Sequence, residues 1–82
     1  MPTISGIIVD ADKGYPLVGV GVTIGSVTTA TGSDGDFSAE LPVGTYLMLI
    51  RTPIYRPLSQ NIQVPDTGLN LGLIRLSKAV PI

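Results

Sequence analysis

The chain has 82 residues, a formal net charge of −1 and only 13% charged side chains, although 44% of its residues are hydrophobic. It has no cysteine, which excludes disulfides and thiolate metal sites, and no histidine, which removes the commonest general base and metal ligand. Because no basic cluster is available to neutralise phosphates, nucleic acid is not expected as a partner. The first residues do not form a signal-peptide pattern and no apolar run is long enough to cross a membrane, so no membrane insertion is predicted.

Glycines and prolines divide the chain into short segments rich in Val, Ile, Thr and Leu, which is typical of β-strands separated by tight turns. No segment has the periodicity of a helix. In chain order, the predicted strands are 3–9, 20–25, 27–31, 36–40, 45–51, 59–64 and 70–77. Two sheets must face each other to enclose a core, so the chain is predicted to be all-β, a seven-stranded antiparallel β-sandwich forming one domain over residues 1–82.

The first and fifth strands carry apolar side chains at successive positions, so both faces of these strands are apolar. Side chains alternate across a strand, so successive residues point to opposite faces, and the family resemblance given below implies which set faces inward. The inward set is Ile4, Gly6, Ile8, Tyr46, Met48 and Ile50, and the outward set is Ile7, Val9, Leu47 and Leu49. If both strands lie in one sheet, the outward set forms a single patch that a second copy or another protein would cover, unless the loop at 52–58 or the tail at 79–82 folds over it.

The stretch TGSDGDF, residues 31–37, contains two carboxylates and two glycines. Asp34-Gly35 is a strong signal for a β-hairpin turn, because such turns need positive φ at their central positions. Asp34 and Asp36 are also candidate calcium ligands, although a calcium site takes six to eight oxygens and usually a further acidic residue. A tight turn without a bound metal is therefore the favoured interpretation.

Phe37 and Tyr46 are the predicted core anchors, because each follows a turn signal and occupies an inward strand position. The Tyr46 hydroxyl is expected to bond to the backbone near a sheet corner, as buried tyrosines usually do.

Four segments occur in a recurring order: ISGIIVD at 4–10, PLVGVGVTI at 16–24, TGSDGDF at 31–37 and LPVGTYLMLI at 41–50. Their order and spacing resemble the carboxypeptidase regulatory-like domain family, within the broader transthyretin-like group of seven-stranded sandwiches. The chain departs from the family pattern at Gly32, where the family usually has Asp, and at Ile54, where it often has Gly.

The resemblance implies an accessory module without catalytic residues or cofactor, in an extracellular, cell-surface or virion setting. We therefore expect a non-enzymatic structural module that self-associates or docks within a larger surface, fibre or virion assembly. The transthyretin-like group also contains a hydroxyisourate hydrolase, but that enzyme relies on histidines and a C-terminal Tyr-Arg-Gly-Ser signature, neither of which is present here. The alternative is an accessory module of a larger secreted or receptor protein that binds a glycan or peptide through the loops at 10–16, 32–36 and 52–58.

Overall fold

The computed structural model describes residues 2–78, and within this range the chain forms seven strands and no helix. The predicted all-β sandwich is confirmed, and each predicted strand is present with its bounds shifted by at most one residue. The strands are β1 (Thr3–Asp10), β2 (Gly21–Ile24), β3 (Val27–Ala30), β4 (Asp36–Glu40), β5 (Gly44–Arg51), β6 (Leu58–Val64) and β7 (Leu69–Leu76). Within the described range, no helix is long and apolar enough to span a membrane.

The strands form a three-stranded sheet in the order β4-β1-β7 and a four-stranded sheet in the order β3-β2-β5-β6. Four of the five strand pairs are antiparallel, as predicted, but β1 and β7 are parallel. Parallel neighbours need a long connection, and here almost the whole chain lies between the two strands.

A bulge interrupts the β1–β7 ladder. Ser5 pairs with Asn70 whereas Ile7 pairs with Leu73, so β7 has one extra residue between these two pairs. Gly72 has a φ of 70°, in the left-handed region that favours glycine, and its N–H donates to Oδ1 of Asn70 at 2.9 Å. The bulge changes the phase of alternation along β7, which places Leu73 on the outer face.

The core lies between the two sheets and is built from alternate positions of the strands. Its most deeply buried apolar members are Ile4, Ile8, Val22, Ile24, Met48, Ile50 and Val64. The alternation along β1 and β5 thus has the predicted phase at Ile4, Ile8, Met48 and Ile50.

The strand directions determine which loops meet at each end of the sandwich. β1, β5 and β7 all finish at the same end, where Tyr55 forms a β-bridge with Lys78 and the Arg56 N–H donates to the Ser77 carbonyl at 2.9 Å. β4 finishes at the opposite end, where the Leu41 N–H donates to the Pro2 carbonyl at 3.2 Å.

Candidate docking site

The four predicted outer-face residues do not form one patch, because their strands belong to different sheets. β1, with Ile7 and Val9, lies in the three-stranded sheet, whereas β5, with Leu47 and Leu49, lies in the four-stranded sheet. The outer faces of the two sheets point to opposite sides of the sandwich. The condition on which the single patch depended is therefore not met, and the structure offers two separate apolar surfaces instead.

The prediction that Val9 is exposed on the outer face is also wrong, because Val9 is only 7% exposed. It is buried without belonging to the core cluster between the sheets. Its neighbours on the sheet are Arg75 of β7 on one side and Pro16, in an isolated bridge, on the other. The segment around Pro16 extends the sheet beyond the start of β4, so Val9 has neighbours on both flanks and offers little surface to a partner.

The first apolar surface consists of Ile7 and a residue that the sequence prediction missed. Ile7 is 39% exposed, and Leu73, its register partner on β7, is 56% exposed. Partners in a parallel pair share a face of the sheet, so the two side chains lie next to each other on the outer face. The sequence of β7, LNLGLIRL, shows that apolar residues are frequent in this strand, but it does not show which face they occupy. The bulge at Gly72 turns Leu73 outward. We call Ile7 and Leu73 the β1–β7 patch.

The second apolar surface consists of Leu47 and Leu49 on the outer face of the four-stranded sheet. Leu47 is 53% exposed, whereas Leu49 is half-buried. Leu49 stands between Thr23 and Ser59 in the sheet, and Leu47 pairs with Asn61, so polar side chains surround the two leucines. An apolar centre with a polar rim is the usual composition of a protein interface. We call Leu47 and Leu49 the β5 patch.

The predicted core anchors differ in burial. Phe37 is 4% exposed, and its ring lies over Gly6, its register partner, where an added Cβ would be 2.9 Å from Cε1 of the ring. Tyr46 is only half-buried, with its ring against Gly25. Its hydroxyl donates to the Pro42 carbonyl at 2.8 Å, a bond to the backbone at the β4–β5 corner, as expected.

The TGSDGDF stretch forms a tight turn, but it does not close a β-hairpin. β3 and β4 lie in different sheets, so the turn carries the chain from one sheet to the other. The Gly35 N–H donates to the Gly32 carbonyl at 3.0 Å, and Gly35 has a φ of 76°. Asp34 and Asp36 are exposed, and among residues 2–78 no three side chains of metal-ligating type come together.

A buried polar cluster at the end where β1 finishes was not anticipated. Asp10 is 1% exposed; its Oδ1 accepts from the N–H groups of Asp12 at 2.7 Å and Lys13 at 2.8 Å, and its Oδ2 accepts from the Tyr55 hydroxyl at 2.6 Å. The Tyr15 hydroxyl lies 3.5 Å from that of Tyr55. These bonds join the loop at 11–16 to the loop at 52–57, two of the three loops of the alternative ligand-binding site.

The electrostatics of this cluster are those of a structural carboxylate. The hydrogen bond from Tyr55, followed by that from the Lys13 N–H, lowers the pKa of Asp10 to about 2. The same bond to Asp10 is the largest cause of a raised pKa at Tyr55. A carboxylate that holds its proton so weakly is a poor general base at neutral pH, because efficient proton transfer needs a pKa near the working pH.

A cavity of about 390 Å³ lies beside the cluster, lined by Arg51, Thr52, Pro53, Tyr55 and Pro57. Its lining contains one cation, one phenolic hydroxyl, one threonine and two prolines.

Comparison with known proteins finds one matching domain family and two related proteins. The model of the carboxypeptidase regulatory-like domain matches residues 3–74. S-layer protein B of Metallosphaera sedula is 39% identical over 64 residues, covering 74% of this chain and 15% of that protein. Structural protein 27 of a virus isolated in Victoria, Australia, is 36% identical over 82 residues, covering 98% of this chain and 16% of that protein. The chain thus spans only a small part of the length of these relatives.

Two solved structures support the fold. A cohesin–X-dockerin complex from Acetivibrio cellulolyticus contains a chain with a TM-score of 0.74 and 24% identity, covering 89% of this chain and 53% of that one. The 5-hydroxyisourate hydrolase of Klebsiella pneumoniae has a TM-score of 0.72 and 21% identity, covering 98% of this chain and 93% of that one. At these identities the likeness concerns the sandwich and not the activity.

Proposed function

Because the chain belongs to the carboxypeptidase regulatory-like domain family, we propose that it is a non-catalytic structural module that docks within a larger surface layer, fibre or virion. The observation that carries the proposal is the exposure of large apolar side chains on both outer faces, above all Leu47 at 53% and Leu73 at 56%. The names of its relatives, an S-layer protein and a viral structural protein, support the same class of function.

The proposal that the module is not an enzyme is supported by the chemistry of its side chains. The chain has no histidine and no cysteine, and its buried carboxylate, Asp10, already accepts three hydrogen bonds. The fold shared with a hydrolase carries no activity by itself, since function depends on the site and not on the sandwich.

The partner we propose is a second copy of the chain or a neighbouring protein of the same assembly. The β5 patch is the better docking surface, because its two leucines stand at the centre of a polar rim. Fully burying a leucine side chain is worth about 1.5–3 kcal/mol, so covering the exposed half of Leu47 is worth on the order of 1 kcal/mol, a several-fold change in affinity.

The test is sedimentation equilibrium of the wild-type chain over a wide concentration range, together with two variants. Leu47→Gln removes the apolar side chain without changing the charge and should weaken association several-fold. Thr45→Gln is the matched control, because Thr45 is exposed on the same strand and face two residues away. Equal masses for the wild type and both variants at every concentration would contradict docking of copies through the β5 patch.

A second candidate function, binding of a glycan or peptide through loops, is favoured by the cavity beside Tyr55. It predicts a monomer whose NMR shifts respond to ligand at Arg51 and Tyr55 but not at Leu47. Titration with a panel of oligosaccharides and short peptides therefore separates the two candidates.

A further inference from the structure

The five cationic side chains all lie toward one end of the sandwich, the end where β1, β5 and β7 finish. Arg51 ends β5, and Arg75 is the last residue but one of β7. The remaining three lie in the connecting segments at this end: Lys13 beside Asp10, Arg56 bonded to Ser77, and Lys78 bridged to Tyr55. We call this the basic end.

The opposite end carries carboxylates and no cation among the described residues. Glu40 ends β4 and pairs with Thr3, the first residue of β1. Asp66 lies in the turn from Pro65 to Gly68, which is closed by a 3.1 Å bond, and Gly68 packs against the backbone of Thr3. We call this the acidic end.

The remaining carboxylates do not cancel the separation of charge. Asp10, Asp12, Asp34 and Asp36 lie in or beside the loops of the basic end, where the Asp36 carbonyl accepts from the Gly32 N–H at 2.8 Å. Five cations against four carboxylates leave the basic end with one positive charge, and Glu40 and Asp66 give the acidic end two negative charges. The sandwich is therefore polarised along its strands.

Each end also presents an apolar side chain and a cavity. At the basic end, Ile54 is 55% exposed on the loop that borders the 390 Å³ cavity. At the acidic end, Val43 is 60% exposed and lines a cavity of about 290 Å³ with Val64, Pro65 and Leu69 among its other walls. Opposite charge and matching apolar groups make the two ends complementary to each other, whereas each end repels a second end of its own kind.

We propose that copies of this chain associate head to tail, with the basic end of one on the acidic end of the next. The inference rests on the proposed function as a structural module and adds the direction in which modules join. Because the contact uses two different surfaces on opposite ends, it is heterologous and extends into an open series instead of closing as a twofold dimer.

The area of the two ends limits the strength of the contact between neighbouring copies. The molecule measures 42 × 21 × 16 Å, and strands of eight residues reach about 27 Å, so the long dimension follows the strands. An end of 21 × 16 Å is smaller than the ~800 Å² per partner of a typical stable pair. Each head-to-tail contact is therefore weak and sensitive to salt, and it forms only at high local concentration.

The experiment uses two variants that each disable one end, both built in a Leu47→Gln, Leu73→Gln chain so that neither outer face contributes. Arg51→Gln with Arg56→Gln removes two cations from the basic end, and Glu40→Gln with Asp66→Asn removes both carboxylates from the acidic end; all four side chains are exposed. The parent chain should form linear oligomers, whose mean mass increases with protein concentration and decreases as salt concentration rises. Each variant alone should remain monomeric, because removing the charges of one end should weaken its association at least tenfold.

The decisive sample is an equimolar mixture of the two variants. Each variant retains one intact end, so the mixture should form heterodimers and nothing larger, and circular dichroism should show that both variants are folded. Asp34→Asn with Asp36→Asn in the same parent chain is the matched control, because it removes two carboxylates, as the acidic-end variant does, but keeps Glu40 and Asp66 and should leave the association intact.

Two results would overturn the head-to-tail contact. One is a parent chain that stays monomeric at millimolar concentration, and the other is a mixture no heavier than its components. Neither result affects the β5 patch, which is tested separately by Leu47→Gln in the otherwise wild-type chain, so failure of the end contact is distinguishable from failure of the proposed function.

Discussion

The Tyr55 hydroxyl donates a 2.6 Å hydrogen bond to Oδ2 of Asp10, a residue 45 positions earlier in the chain. The bond joins the end of β1 to the loop after β5, and therefore one sheet to the other. Because it favours the ionised form of Asp10 and the neutral form of Tyr55, its contribution to stability depends on pH at both extremes.

The sign follows from the two pKa shifts. The pKa of Asp10 is lowered to about 2 in the folded chain, so its stabilisation is present above the ordinary carboxyl pKa of about 3.9 and is lost as pH falls from about 4 toward 2. The pKa of Tyr55 is raised, so its stabilisation is present below about pH 10 and is lost as pH rises beyond that value. Urea melts of Tyr55→Phe should show a lower free energy of unfolding at pH 7 and a flatter acid limb than the wild type.

Tyr15→Phe is the matched control for that variant. The Tyr15 hydroxyl makes only a 3.5 Å contact with Tyr55 and none with Asp10, so its removal should leave the acid limb intact. An acid limb in Tyr55→Phe as steep as that of the wild type would show that the bond to Asp10 does not control it.

Phe37→Ala should reduce the free energy of unfolding by about 3–5 kcal/mol, because the buried ring packs against Gly6 in the core and its removal leaves a cavity. Denaturant melts measure the change, and Phe37→Leu, which keeps most of the volume, should lose much less. A loss under about 1 kcal/mol in Phe37→Ala would contradict the role of Phe37 as a core anchor.

Gly35→Ala should destabilise the chain more than Gly14→Ala. Both glycines have φ near 80°, at 76° and 80°, so both variants incur the cost of a left-handed alanine, about 1–2 kcal/mol. An added Cβ at Gly35 would lie 2.6 Å from the Ile8 carbonyl oxygen, whereas at Gly14 it would meet no atom within 4 Å. The difference between the two urea melts isolates this crowding, and equal losses would show that the turn relaxes to accept the methyl group.

Millimolar calcium should leave the melting temperature of the chain unchanged. The turn at 31–37 supplies only Asp34 and Asp36 as carboxylates, and a ligand stabilises the folded state only when its concentration exceeds the dissociation constant. Thermal melts with calcium or with a chelator check this expectation. A rise of several degrees that disappears in Asp34→Ala would instead identify a calcium site.

The strands could be predicted because their signals are local. Glycines and prolines mark the turns, and alternation identifies which residues of one strand share a face, as at Ile4 and Ile8. The division of strands between sheets is not local, since nothing within 3–9 or 45–51 specifies the neighbouring strand. The prediction of a single outer patch was wrong for this reason, because β1 and β5 lie in different sheets.

Two other features escaped prediction because they depend on distant parts of the chain. Asp10 lies 45 residues before its partner Tyr55, and only the packing of the two sheets brings the two side chains together. Leu73 points outward because of the bulge at Gly72, which changes the phase of β7 and is evident only from the pairing with β1. In both cases the decisive neighbour is distant along the chain, so the local sequence does not identify it.

The parallel pairing of β1 and β7 has a mechanical consequence. A tensile load applied at Thr3 and Leu76 would pull the two neighbouring strands in opposite directions along their length, since β1 begins at one end of the sandwich and β7 finishes at the other. The hydrogen bonds of the ladder would then be loaded together in shear, instead of opening one after another from an end. In a fibre or layer under stress, this pair of strands would be the part of the fold that bears the tension.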